Sequence, residues 1–201
     1  MKKWSLALLL PVVLWSTAAS AAVVTTYTSE AAWMTAVSGM FVTEPFNNAG
    51  LQPFTGVSTS VGSIQTNLWH DRVTRGGGES TTFSYLYDTL RGAGGTWDTS
   101  PADEGQALAI TLNMTGGGTE FVAQIGPINS FFGWTSDAPF DSFTIRAGYN
   151  SGIAETFDLD NLSMAPSPHE NTPTPEPATL VLVATALAGA PFVRRRFSSG
   201  A

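Results

Sequence analysis

The sequence contains no cysteine. Thiol catalysis and disulfide cross-links are therefore excluded, so a folded domain must be held together by its hydrophobic core or by a bound ion. Lysine is absent between residues 23 and 165, where four arginines stand against fourteen acidic residues and the formal charge is −10. Because phosphate contacts need a basic surface, this segment is not expected to bind nucleic acid or anionic lipid.

Motifs of enzymatic catalysis are also scarce. There is no Gly-x-Ser-x-Gly elbow, and the glycine triplets at 76–78 and 116–118 lack the Lys-Ser/Thr of a phosphate loop. His70 and Asp71 are neighbours in sequence, which places their side chains on opposite faces of a strand. A glycosidase pair among the fourteen carboxyl groups stays open, but no pattern singles out two of them. We therefore predict a protein that is not an enzyme.

The first 21 residues have the pattern of a secretory leader. Lys2 and Lys3 precede an apolar stretch at 6–15, and small residues occupy 19–21. This order predicts a signal peptide over 1–21 that signal peptidase removes. It leaves one domain at 22–165, a size that allows a substantial core.

The C-terminal residues form a second targeting pattern. Pro175, Glu176 and Pro177 precede an uncharged stretch at 178–193, which is followed by three arginines, Arg194, Arg195 and Arg196. As a helix the stretch would span roughly 24 Å, against roughly 30 Å of bilayer hydrocarbon. The arginines would hold the C-terminus in the cytoplasm. The prolines keep the preceding residues extended, so a protease could reach them.

This tail resembles the PEP-CTERM sorting domain of Gram-negative bacteria, which is also catalogued under an ice-binding C-terminal name that carries no prediction of ice binding. The resemblance covers 173–197 and implies processing by an exosortase, a transient stay in the inner membrane and delivery to the cell surface or extracellular polymeric matrix. The alternative is an ordinary C-terminal anchor that is never cleaved. A proline-rich linker at 166–174 would separate the tail from the domain.

Alternating apolar residues predict strands at 108–114 and 143–149, and glycines at 116–118 predict a hairpin loop that joins the first of these to a strand at 121–125. Further strands are predicted at 131–134 and 156–164. One short helix is predicted at 29–39, with Ser29 as its N-cap. The fold class is therefore all-β, an antiparallel β-sandwich that is jelly-roll-like. Short motifs at 29–47 and 131–162 resemble the jelly-roll domains that accompany PEP-CTERM tails, and they imply no activity.

Calcium is the one metal that the sequence suggests. Glu44 lies on an early predicted strand, while Asp158 and Asp160 lie on the last one, where secreted jelly rolls often bind the ion. A loop carboxylate from Asp98, Asp103 or Glu104 would complete the site. The alternative is that Asp158 and Asp160 are the solvent-facing residues of an amphipathic strand.

Aromatic side chains are the candidates for glycan binding, because the apolar face of a sugar ring packs against them. The candidates are Trp69, Trp97 and Trp134, and Trp97 is favoured since it lies in a polar, glycine-rich stretch at 92–105 that is predicted to be a loop. The alternative is burial in the core, which is expected for Trp134. Trp97 and Trp69 therefore form the predicted glycan site.

Three hypotheses for function follow. The first is a non-catalytic surface or matrix protein that associates with exopolysaccharide. The second is a lectin-like module, assisted by calcium. The third is a polysaccharide hydrolase, which would need two carboxyl groups roughly 5 to 9.5 Å apart across a groove.

Overall fold

A computed structural model of the chain describes residues 21–76, 78–102, 107–148 and 154–168. Its strands all belong to the unit that ends at Ser167. Within these residues no helix has the length and apolar character needed to cross a membrane. The predicted leader up to residue 20, the linker beyond residue 168 and the helix at 178–193 lie outside the described residues.

The described residues contain eleven strands and one helix. In chain order they are β1 (Val24–Tyr27), α1 (Glu30–Ala36), β2 (Val42–Glu44), β3 (Thr55–Ser58), β4 (Ser63–Gln65), β5 (Leu68–Thr74), β6 (Thr81–Tyr85), β7 (Leu90–Ala102), β8 (Leu108–Met114), β9 (Thr119–Ile125), β10 (Asn129–Ala147) and β11 (Ala154–Pro166).

The strands form one antiparallel sheet that curls into two halves, and β10 belongs to both. The five-stranded half has the order β3-β6-β10-β8-β9 and uses residues 140–147 of β10. The seven-stranded half has the order β1-β10-β7-β11-β5-β4 and uses residues 129–136 of β10, while β2 pairs with the end of β11. The predicted all-β, jelly-roll-like sandwich is confirmed.

The two halves face each other through aromatic side chains. Trp134 and Phe143, from the two parts of β10, meet edge to face with ring centroids 4.9 Å apart. Trp69 of β5 meets Phe83 of β6 at 5.4 Å. All four side chains are buried. Each such aromatic removes a large apolar area from water, which stabilises the sandwich without any cross-link.

Helix α1 covers part of the outer face of the seven-stranded half. Ser29 caps it by accepting a hydrogen bond from the Ala32 amide, and Gly39, at φ +68°, lies in the turn after it. The Nε1–H of Trp33, the buried residue of the helix, donates to the Trp134 carbonyl oxygen at 3.0 Å. The predicted helix and its cap are confirmed, although the helix is shorter than 29–39.

The predicted hairpin is also confirmed. β8 and β9 pair in antiparallel register, and Gly116, Gly117 and Gly118 between them all have positive φ. Such backbone conformations are readily accessible to glycine alone. The predicted strands at 131–134 and 156–164 lie within β10 and β11.

The prediction of a loop at 92–105 was wrong for 92–102, because β7 continues to Ala102, and the rest of the predicted loop lies outside the described residues. Its glycines permit close packing instead of a turn. A Cβ on Gly94 would lie 2.8 Å from Cζ of Phe131, and one on Gly95 would lie 2.7 Å from Cδ1 of Leu159. β11 likewise runs to Pro166, the first residue of the predicted linker.

Two buried tryptophans allow the value of one core hydrogen bond to be measured. The Nε1–H of Trp97 donates to the Phe132 carbonyl oxygen at 2.9 Å, whereas Nε1 of Trp134 has no hydrogen-bond partner among the described residues. Both side chains are fully buried. Replacement by phenylalanine removes a similar volume at each site, but it removes a hydrogen bond only at Trp97.

We expect Trp97→Phe to lower the free energy of unfolding by about 1 kcal/mol more than Trp134→Phe does. Urea denaturation of the two variants, followed by tryptophan fluorescence, measures the difference. Equal losses would show that the Trp97 hydrogen bond adds nothing to stability.

Candidate functional site

The residues predicted to direct sorting lie outside the described part of the chain. They are Pro175, Glu176, Pro177, Arg194, Arg195 and Arg196. The candidate sites within the described residues are therefore those of the β-sandwich.

The predicted glycan platform was wrong. Trp97 is fully buried between Trp134 and Phe157, with ring centroids 6.5 Å and 5.9 Å away. Trp69 is 4 % exposed, and its Nε1–H points at the carboxylate of Asp71 at 3.3 Å. A sugar ring needs an open aromatic face. Neither tryptophan offers one, because both side chains belong to the core.

The predicted calcium ligands are not brought together. Glu44 is buried, and its two carboxylate oxygens accept hydrogen bonds from the backbone amides of Phe46 (3.0 Å) and Gln52 (2.5 Å). No group of three His, Asp or Glu side chains that could hold a metal ion occurs within 21–76, 78–102, 107–148 and 154–168. Asp103 and Glu104 lie outside these ranges. Glu44 instead fixes the loop that follows β2.

Asp158 and Asp160 occupy the outer face of the seven-stranded half. Their neighbours Phe157 and Leu159 are fully buried, while both aspartates are half-buried. The amphipathic-strand alternative therefore describes this strand. Asp158 accepts a hydrogen bond from Nδ1 of His70 at 2.6 Å.

Charged and amide side chains line up across this outer face. In strand register, His70 of β5 is opposite Asp158 of β11, Asp158 is opposite Asp98 of β7, and Asp98 is opposite Asn129 of β10. Nδ2 of Asn129 donates to Asp98 at 3.0 Å. The row is therefore a hydrogen-bonded polar surface, and its ionisable groups are partly exposed.

The outer face of the five-stranded half has a different chemistry. Six half-buried, uncharged side chains form two rows of three across β6, β10 and β8, and we call them the hydroxyl face: Thr82, Thr144 and Thr111 in one row, and Ser84, Ser142 and Asn113 in the other. Their neighbours Phe83, Phe143 and Leu112 point the other way, into the core.

Hydrogen bonds fix the orientations of the hydroxyl face. The hydroxyl groups of Thr82 and Thr144 are 2.8 Å apart. Nδ2 of Asn113 donates to Oγ of Ser142 at 2.8 Å and to Oγ1 of Thr144 at 3.1 Å. Each hydroxyl both donates and accepts, and Oδ1 of Asn113 accepts, so the array keeps capacity for a ligand.

A cleft of about 270 Å³ continues the hydroxyl face at β3 and shares Thr82 with it. Its lining consists of one glycine and five hydroxyl side chains: Ser58, Thr59, Ser60, Gly78, Ser80 and Thr82. Oγ1 of Thr59 donates to the buried carboxylate of Asp71 at 2.9 Å. Asp71 therefore holds one wall of the cleft in place.

The hydroxyl face was not predicted from the sequence, although the sequence contains a signal for it. Three tripeptides have a polar, apolar, polar pattern with hydroxyl or amide side chains at both ends, at 82–84, 111–113 and 142–144. Strand alternation places those ends on one face. The pattern does not reveal that the three strands are neighbours, which depends on non-local pairing.

Comparison with known proteins identifies the tail. Residues 173–196 match the family model described as the PEP-CTERM protein-sorting motif. The chain carries a PEP-CTERM sorting motif. This sorting motif implies export, membrane-anchored sorting and processing by an exosortase, as the resemblance predicted. No curated protein matches the chain significantly.

Solved structures with partial likeness to the chain are family 29 carbohydrate binding modules. A mutant of CBM29-2 has a TM-score of 0.48 at 12 % identity, over 62 % of this chain and 91 % of its own. Another mutant, complexed with cellulohexaose, has a TM-score of 0.48 at 13 % identity, over 62 % and 89 %.

Gly62 tests the packing around Asp71, which supports the cleft. A Cβ at this position would collide with Oδ2 of Asp71 and with the ring of Trp69. We expect Gly62→Ala to destabilise the domain by about 1–3 kcal/mol, because neither buried group has room to move. Thermal unfolding followed by circular dichroism measures the change.

Gly50→Ala is the matched control, since nothing lies within 4 Å of a Cβ at Gly50. Because alanine has less conformational freedom than glycine in the unfolded chain, Gly50→Ala should leave the stability of the domain unchanged or raise it slightly. Equal melting temperatures for the two variants would contradict the packing described for Gly62.

Proposed function

We propose that this chain is an exported, non-catalytic protein of the cell surface or extracellular matrix, sorted by an exosortase, whose β-sandwich associates with exopolysaccharide. The match of residues 173–196 to the PEP-CTERM sorting motif carries the proposal. The order of the sequence supports it, because a leader pattern precedes the domain and the motif follows it.

The chemistry of the described domain supports a non-catalytic role. Its cleft is lined by hydroxyl groups and one glycine, none of which titrates near neutral pH. Polysaccharide hydrolysis needs two carboxyl groups facing each other across a groove. His70 and Asp158 form a hydrogen-bonded pair, but only one of the two is a carboxyl group. The pair lies on the outer face of the sheet, where the side chains are 36 % and 21 % exposed.

The charge of the domain supports association with neutral polymers. Residues 23–165 carry fourteen acidic side chains against four arginines. Like charges repel, so anionic polymers are disfavoured as partners, while uncharged polysaccharide pays no such penalty. The calcium-assisted lectin hypothesis receives no support from Glu44, Asp158 and Asp160, which do not converge.

The sorting step is tested by changing the motif in a host that has an exosortase. We expect Glu176→Ala, and separately deletion of Arg194, Arg195 and Arg196, to abolish processing, so that the unprocessed chain accumulates in the membrane fraction. Immunoblots of membrane, envelope and medium fractions measure this outcome.

Glu170→Ala is the matched control, because Glu170 precedes the motif. This variant should be processed as the wild type is. If the Glu176 and arginine variants are processed and delivered like the wild type, the sorting assignment fails. The result does not depend on whether the domain binds glycan.

A further inference from the structure

The hydroxyl face carries no charge, although it belongs to a strongly acidic domain. Thr144 lies at its centre, between Thr82 and Thr111 in strand register. Along β10 the nearest ionisable residues are Asp141 and Arg146, which lie beyond the two ends of the hydroxyl face. A ligand centred on this face therefore meets hydroxyl and amide groups, and the exposed Arg146 lies next to Thr144 on the same side of β10.

We propose that the hydroxyl face and the adjoining cleft bind a neutral polysaccharide. This inference rests on the proposed association with exopolysaccharide and assigns that association to one surface. A polyhydroxylated polymer both donates and accepts hydrogen bonds, as these side chains do. Desolvating a hydroxyl on binding costs far less than desolvating a charge, provided that the hydrogen bonds are replaced.

The spacing of the face suits an extended polymer. Adjacent strands lie roughly 4.8 Å apart and alternate residues along a strand roughly 6.8 Å apart, so the polar groups form a flat lattice. Beyond Thr111 the row continues to Phe121 of β9, roughly 14 Å from β6. Phe121 is 55 % exposed and offers an apolar ring to the carbon face of a sugar.

The β3 side of the face includes an exposed apolar side chain in addition to the hydroxyl groups of the cleft. Leu86 is 59 % exposed. Its side chain and that of Ser84 lie against Gly56 of β3, because a Cβ on Gly56 would collide with both side chains. The bare backbone at Gly56 therefore lets these side chains spread over β3. The polar lattice lies between two exposed apolar side chains, Phe121 and Leu86, which is an arrangement suited to sugar rings with polar edges and apolar faces.

The face is pre-organised for this ligand. Asn113, Thr82 and Thr144 are held by mutual hydrogen bonds of 2.8 to 3.1 Å, so little side-chain freedom is lost on binding. In the cleft, Thr59 is held by Asp71. A protein partner fits less well, because the centre of a protein interface is usually apolar and the centre of this face is polar.

Affinity electrophoresis of the full exported chain tests the proposal with defined polymers. The gels contain hydroxyethylcellulose, galactomannan or dextran as neutral probes. A further gel contains carboxymethylcellulose, which has the same cellulose backbone as hydroxyethylcellulose but carries carboxylates. We expect retardation in at least one neutral gel, and less in carboxymethylcellulose than in hydroxyethylcellulose. No retardation in any neutral gel would overturn the proposal and leave the sorting assignment untouched.

Variants locate the site. Thr144→Val removes the central hydroxyl at nearly constant volume and should weaken binding about fivefold, the loss of one hydrogen bond. Phe121→Ser, at an exposed position, should weaken it without affecting the core. Thr96→Val is the matched control, because Thr96 is an exposed strand threonine on the other outer face. Circular dichroism confirms that each variant is folded.

Two results would overturn the assignment of this face. If the wild type binds and both Thr144→Val and Phe121→Ser bind equally well, the association with polysaccharide stands but lies elsewhere. If sedimentation shows a wild-type dimer that Phe121→Ser converts to a monomer, the occupant of the face is a second copy of the chain.

Discussion

The fold depends on a single long strand that belongs to both halves of the sheet. β10 pairs with β1 and β7 through its first part and with β6 and β8 through its second. Between the two parts, Oγ of Ser136 donates to the carbonyl oxygen and accepts from the amide of Ala138. Trp134 and Phe143 therefore face each other although one strand carries both. The alternation of this strand fixes which residues are outward in each half.

The two outer faces that result differ in charge. One carries His70, Asp98 and Asp158, in a row of hydrogen-bonded polar groups. The other is the hydroxyl face, with no ionisable side chain among its six residues. A domain with such an excess of acidic groups repels anions over most of its surface. The uncharged face is therefore where a neutral polymer can approach at the least electrostatic and desolvation cost.

The sequence predicted those features that depend on local periodicity. Alternation located β8 and the end of β10, the glycines at 116–118 located the hairpin that leads to β9, and the cap at Ser29 located α1. The prediction failed at β7, because its glycines make the segment look like a loop in composition. In the structure these glycines instead permit the close approach of Phe131 and Leu159. Trp97 was misassigned for that reason. The hydroxyl face was missed because three separated tripeptides become one surface only through pairing between distant strands.

The scarcity of basic residues has a structural consequence. Two of the buried carboxylates, Glu44 and Asp71, accept hydrogen bonds from neutral donors: backbone amides, threonine hydroxyls and an indole N–H. A buried charge needs such hydrogen bonds when it has no ionic partner. Both carboxylates bind to the segments next to their strands and hold the backbone there in place. Glu44, which the sequence suggested as a metal ligand, therefore holds the backbone after β2. Ligand recognition is for the same reason better sought among the uncharged side chains.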